Sequence, residues 1–237
     1  MIFNPKRSLG QNFLVDDKIL NKIIDIANID FENVVIEVGP GKGALTEKIF
    51  EKKPKKLTVI EKDERLYKFL NKKFGSKIDI INNDMMKISY EKYLEENLII
   101  FGNLPYNIST QILAKWIKIN NLEKFCKKLI LMFQKEVADR IIAETNTKNY
   151  GRLSIISNWK MKIEKIIDIE PSSFSPSPKV KSTLLVFVPK KKYHILKDAK
   201  NLEHITNIFF SQRRKMIKKP LKFLFNNFEE ISKKLSI

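Results

Sequence analysis

Apolar residues in this chain fall into short runs of strand length, separated by stretches with helical spacing, and the two alternate up to about residue 150. Val34–Val38, Leu57–Ile60, Ile78–Ile81, Leu98–Phe101 and Leu129–Phe133 lack the alternating polarity of a half-exposed strand, so they read as strands buried on both faces. Five such units in succession predict a parallel sheet with helices on both sides. Ahead of them, Ile19, Leu20, Ile23, Ile24 and Ala27 recur at helical spacing behind Asp16, which is placed to cap that helix. Beyond Gly151 the period changes. A helix to Trp159, a strand over Met161–Ile169, a Pro/Ser-rich turn and a strand over Thr183–Val188 are expected, the two strands pairing as a hairpin at the sheet edge. Pro189 and Lys190–Lys192 mark a boundary. Leu202, Ile205, Ile208 and Phe209 then share one helix face, and Pro220 is expected to end or kink a second helix. The pattern predicts an α/β domain over residues 1–188 and a small helical subdomain over 189–237.

Composition narrows the class of protein. No apolar run exceeds five residues, and no charged segment followed by an apolar core opens the chain, so neither a membrane span nor a secretory signal is expected and the cytoplasm is the expected location. The single cysteine, Cys126, precedes an apolar run and reads as a buried small side chain without a functional role. His194 and His204 have no Cys or Glu at ligand spacing, so no metal is expected. The net charge of +18 points to a polyanionic partner, although Lys-rich coding bias alone can raise it. Its distribution says more: residues 189–237 hold 13 Lys/Arg against 4 Asp/Glu, half of the excess on about a fifth of the chain. The basic residues Lys6 and Arg7 at the start, and Arg213, Arg214, Lys215 and Lys218 in the tail, are the candidate contacts to such a partner, a nucleic acid or an anionic membrane surface. Nothing in the sequence demands a partner chain, and a monomer is expected.

The candidate chemistry sits after the strands. Gly39-Pro40-Gly41-Lys42-Gly43-Ala44 follows the first strand of the βα series and opens a helix, where a parallel sheet binds nucleotides. Gly39 and Gly41 allow a ligand close to the backbone, but the loop by itself fits NAD as well as S-adenosylmethionine, and a tight turn without a ligand uses the same residues. Lys42 is followed by Gly43, which excludes a Walker loop. Glu61 past the second strand can accept from both ribose hydroxyls, and Asp84 past the third can accept from an adenine amino group. An acid after each strand favours S-adenosylmethionine as the methyl donor.

The fourth strand runs into Gly102-Asn103-Leu104-Pro105-Tyr106-Asn107. An adenine N6 is a poor nucleophile because its lone pair is delocalised into the ring. The Asn103 amide oxygen and the Leu104 carbonyl, stiffened by Pro105, can accept from N6–H and orient the nitrogen toward a methyl group. Tyr106 offers a stacking face. A proline turn capped by Asn is the structural alternative for these few residues.

These blocks resemble the ribosomal RNA adenine N6,N6-dimethyltransferases along nearly the whole chain. The resemblance runs through Gly10–Leu14, Glu37–Thr46, Asn103–Thr110, Gln134–Arg140, Tyr150–Ser154 and Ser173–Val180, in that order. It implies a Rossmann-like, seven-stranded S-adenosylmethionine-dependent methyltransferase sheet, with the donor held by Asn12, Leu14, Gly39, Glu61, Asp84 and Asn103. It further implies that Tyr106 and Phe174 sandwich a flipped adenine, since N6 cannot meet the donor while stacked and paired. Gly10, Leu104 and Gln212-Arg213-Arg214-Lys215 resemble the branch that modifies small-subunit rRNA during ribosome maturation. The expected reaction is dimethylation of two adjacent adenosines near the 3′ end of that RNA. Large-subunit rRNA methylation, and RNA binding without turnover, are the alternatives. Intact Glu61, Asp84, Asn103, Pro105 and Tyr106 count against the last.

Overall fold

A computed structural model of the chain describes residues 4–6, 9–89, 95–211 and 216–236. Arg7, Arg213, Arg214 and Lys215 lie outside the described residues.

After a short strand, β1 (Phe13–Leu14), the first helix, α1 (Asp17–Ala27), starts where expected: Asp16 accepts from the Lys18 and Ile19 amides at 2.9 and 3.3 Å. The chain then alternates through β2 (Val34–Val38), α2 (Ala44–Glu51), β3 (Lys56–Glu61), α3 (Glu64–Phe74), β4 (Asp79–Asn82), β5 (Leu98–Asn103), α4 (Ser109–Ile117), α5 (Leu122–Phe125) and β6 (Cys126–Gln134). It continues with α6 (Lys135–Ile141), α7 (Arg152–Lys160), β7 (Met161–Ile169), β8 (Phe174–Ser175) and β9 (Ser182–Pro189). Seven strands form one sheet in the order β4-β3-β2-β5-β6-β9-β7. Five run parallel, as the repeated βα pattern predicts. The sheet is nevertheless mixed, because β9 inserts antiparallel between β6 and β7. A strand returning after a short turn must pair antiparallel, and the β7–β9 hairpin expected at the edge is that pairing.

All five residues of β2 are buried, and alternate ones serve opposite faces. Val34 and Ile36 join Trp116 of α4 and Phe133 on one side, whereas Val35 packs with Ile23 of α1, Ile49 of α2 and Leu70 of α3 on the other. This two-faced burial is the main stabilising term of the fold. The sequence order reverses direction between β2 and β5, which opens a crevice at their C-terminal ends where such sheets hold ligands.

The short β1–β8 ladder was not legible from the pattern. It pairs Phe13 with Ser175 and Leu14 with Phe174, tying the N-terminal arm to the segment before β9. The basic tail forms α8 (Ala199–Ser211), α9 (Lys218–Leu224) and α10 (Phe228–Leu235). Pro220 neither ends nor kinks a helix there. It occupies the first turn of α9, where its missing N–H costs no intrahelical bond.

Candidate active site

Val38 of β2 pairs with Gly102 of β5, so the glycine loop and the catalytic loop leave the sheet side by side. Between them and the arm lies a cavity of about 410 Å³, within the usual size of small-molecule sites. Its wall includes Asn12, Leu14, Gly39, Gly41, Glu61, Asp84, Asn103, Leu104, Pro105 and Tyr106. The structure therefore brings together all the donor-site residues expected from sequence and four of the five expected at the reacting end.

Glu61 is 6% exposed at the end of β3. Its carboxylate accepts the Gly41 amide at 3.3 Å and the Asp63 amide at 2.8 Å. Burial raises its pKa, and those two amides oppose the rise. Two bonds leave about half of a carboxylate's acceptor sites for hydroxyls. Asp84, just after the neighbouring strand β4, also lines the cavity, with Lys62 Nζ at 2.8 Å and the Met86 amide at 2.9 Å. The Lys62 ammonium, foremost, holds Asp84 below its ordinary range, so it stays an acceptor.

Asn103 donates its Nδ2 to the Asn12 carbonyl at 2.9 Å. That bond sets the amide orientation and leaves Oδ1 without a hydrogen-bond partner among the described residues. Leu104 is buried beneath the loop. A Cβ at Gly102 would lie 2.8 Å from Leu104 Cδ2, so any side chain there would require the Leu104 side chain to move. Tyr106 bonds through its hydroxyl to Ser182 Oγ at 2.7 Å.

Phe174 does not line the cavity. It is 3% exposed, packs with Leu20 and Ile169, and stands across the β1–β8 ladder from Leu14, which does line it. Of the candidate RNA contacts, Lys6 reaches Asp63 at 3.4 Å and remains about half exposed, and Lys218 lies 5.6 Å from the Phe228 ring. Cys126 is buried on β6, which pushes its thiol up to about 12, in keeping with a packing role.

Several site residues were missed by sequence reasoning. Glu37 of β2 is buried, accepts Thr46 Oγ1 at 2.6 Å, and is pushed up to about 7, chiefly by burial. Asp63 caps α3 and gathers Arg65 at 2.7 Å, Gln11 at 3.0 Å and Lys6, and the Arg65 bonds, foremost, hold it well below the carboxylate range. In the sequence it looks like an ordinary helix cap two residues after Glu61; only the fold shows that it anchors the arm over the cavity. Phe13 covers the glycine loop so closely that a Cβ at Gly41 would meet its Cδ1 at 2.6 Å.

The cradle fits S-adenosylmethionine: glycine backbone where a side chain would intrude, a buried acid after β3, a second acid after β4 and an amide at the end of β5. No group of His, Cys, Asp and Glu suited to a metal occurs among the described residues, and none of their helices is long and apolar enough to cross a membrane. Fold and site together are those of a Rossmann-like S-adenosylmethionine-dependent methyltransferase.

Comparison with known proteins narrows the class. The sequence model of the family described as "Ribosomal RNA adenine dimethylase" matches residues 2–236. The chain is 54% identical over 237 residues to the ribosomal RNA small subunit methyltransferase A of Pelagibacter ubique, covering all of this chain and 90% of that protein. The crystal structure of a dimethyladenosine transferase from Plasmodium falciparum superposes with a TM-score of 0.79 at 29% identity, covering 94% of this chain and 82% of that one. The 23S rRNA methyltransferase ErmE shares the fold, with a TM-score of 0.66 at 24% identity over 89% of this chain and 83% of its own. The chain belongs to the ribosomal RNA adenine dimethylase family.

Proposed function

We propose that the protein transfers methyl groups from S-adenosylmethionine to N6 of two adjacent adenosines near the 3′ end of small-subunit rRNA, within a ribosomal subunit or its precursor. The observation that carries the chemistry is the Asn103 amide, fixed by Asn12 with its Oδ1 left open on the cavity wall. The 54% identity to a small-subunit enzyme, against 24% to a large-subunit one, favours the small subunit as substrate.

Glu61 would hold the donor's ribose, Asp84 its adenine amino group, and Asn12, Leu14 and the Gly39–Gly41 backbone the remainder. When bound, the donor supplies an electrophilic methyl group on a sulfonium. Asn103 Oδ1 and the Leu104 carbonyl accept the two N6–H groups, turning the lone pair out of the base plane. The amine then sheds a proton that alkylation has made acidic, so no strong general base is needed. Tyr106 supplies one stacking face for the flipped base. Phe174 is assigned the other on the strength of the family resemblance; in the structure it is buried behind Leu14. Lys6, Arg7, Arg213, Arg214, Lys215 and Lys218 are assigned to phosphates, and such a substrate puts the enzyme in the cytoplasm.

Incubating the protein with labelled donor and separately purified, unmodified small and large subunits tests the reading. Label in the small-subunit rRNA, recovered as N6,N6-dimethyladenosine, is expected. Label confined to the large subunit would replace the substrate assignment, and tight RNA binding without label would remove the enzymatic one.

A further inference from the structure

Stacking on a base asks only for an aromatic face, so the hydroxyl of Tyr106 is not accounted for by that role. Its partner is Ser182 Oγ at 2.7 Å, 76 residues further along the chain. Ser182 is fully buried at the start of β9, where it pairs with Gln134 of β6 on one side and Ile169 of β7 on the other. It is thus held between two neighbouring strands, and leaving a buried hydroxyl there without a partner would be costly. Tyr106 itself belongs to the turn between β5 and α4, held locally by the Ile108 amide on the Pro105 carbonyl at 3.1 Å and by Ser109 Oγ on the Tyr106 carbonyl at 3.2 Å. Those bonds fix the backbone of the turn but leave the ring free to swing about its side-chain torsions.

The segment between β8 and β9 is short, so Ser182 also lies close in sequence to Phe174. We propose that Ser182 is a positioning residue for methyl transfer: its bond to the Tyr106 hydroxyl anchors the far end of the ring and so sets the ring's position relative to β9. This inference rests on Tyr106 being the stacking face. Burial raises the Tyr106 pKa, so the phenol is neutral and the bond is kept across the working pH range. Either oxygen can be the donor. A ring that tilts would still admit the base, but would hold N6 off line, and misplacement of about 1 Å costs up to roughly a hundredfold in rate.

The test is a double-mutant cycle of Ser182→Ala and Tyr106→Phe in the full chain, with small subunits as substrate and saturating donor. Each single variant is expected to lower kcat about tenfold with little change in KM, and donor affinity by calorimetry should stay at the wild-type value. The double variant should be no slower than either single one, because both remove the same bond. Losses that multiply in the double variant would overturn the proposal, as would a normal kcat in either single variant. Should Ser182→Ala fail to fold, Tyr106→Phe removes the bond from the cavity side and a normal kcat there overturns it equally. Tyr106→Ala separates the underlying reading: wild-type turnover in that variant would remove the stacking role itself, whereas an inactive Tyr106→Ala beside a fully active Ser182→Ala would remove only the role of Ser182.

Discussion

Glu37 places a carboxyl group in the middle of a strand buried on both faces, with Thr46 Oγ1 as its hydrogen-bond donor and the Glu61 carboxylate adding repulsion. Its ordinary pKa is 4.5, and in the fold it is about 7. The folded state therefore binds this proton more tightly than the unfolded chain does. The resulting stabilisation is complete below about pH 4.5 and is lost as pH rises through about 7, a swing on the order of 3 kcal/mol. Glu37→Gln keeps an oxygen for Thr46 and cannot ionise. Measured by urea unfolding, its stability relative to wild type should rise by up to about 3 kcal/mol between pH 5 and pH 8. A difference that stays constant with pH would mean the buried charge carries no such cost. Asn103 illustrates the opposite case, in which a residue legible from sequence has its side-chain amide oriented by one backbone carbonyl, that of Asn12, 91 residues away.

At the scale of elements, the arm and β1 act as a cover clamped around the donor cavity. Gln11 holds Asp63, Asn12 holds Asn103, and Leu14 pairs with Phe174, so one short segment ties together the start of α3, the end of β5 and β8. Phe13 within it leaves no room for a side chain at Gly41, whose φ is +59°, and Gly75 has a similar φ of +58° with nothing within 4 Å of a Cβ. Alanine at either position carries a backbone cost of about 1 kcal/mol or more, but only at Gly41 must the arm also move. Gly41→Ala is expected to lower S-adenosylmethionine affinity tenfold or more by calorimetry, and Gly75→Ala to lower the melting temperature with donor affinity unchanged. Equal donor affinity in the two variants would place the arm outside the donor site. The glycine pattern in the sequence announces a close approach; that the approaching group is Phe13 depends on the β1–β8 ladder.

For the whole molecule, the basic tail is joined to the sheet layer by specific interactions. Lys118 meets Glu203 at 3.1 Å, Arg152 meets Asn207 at 2.9 Å, Trp159 donates to the His194 carbonyl at 2.6 Å, and Leu202 packs against the core. Among the described residues, none beyond Ile112 lines the donor cavity. We propose on this basis that residues 1–188 form the methyltransferase domain and 189–237 an RNA-docking subdomain. The chain ending at 188 is expected to melt at a lower temperature, bind S-adenosylmethionine with affinity close to wild type, and methylate small subunits poorly. In the full chain, neutralising Arg213, Arg214 and Lys215 should flatten the log–log salt dependence of subunit binding by about one unit for each phosphate that no longer meets a cation. An unchanged slope would move RNA recognition elsewhere, most directly to the arm around Lys6 and Arg7.

What the sequence by itself determined is what neighbours a few residues apart can specify. The strand at Val34–Val38, the Asp16 cap, the glycine turn and the Asn103–Tyr106 loop follow from apolar period, side-chain hydrogen bonds to nearby amides and the torsional preferences of Gly and Pro. Even much of the cavity wall was legible, because residues just after parallel strands are carried to the same end of the sheet. The tertiary structure alone decided the insertion of β9 between β6 and β7, the pairing of β1 with β8, the arrival of Gln11 and Lys6 on Asp63, and the bond from Ser182 to Tyr106. It also decided that Phe174 is buried behind Leu14 and that Glu37 titrates at about 7 instead of near 4.5. Each of these depends on groups far apart in the chain meeting in a dry interior, where register and dielectric are set by the packed sheet, and neither quantity is encoded within any local window of residues.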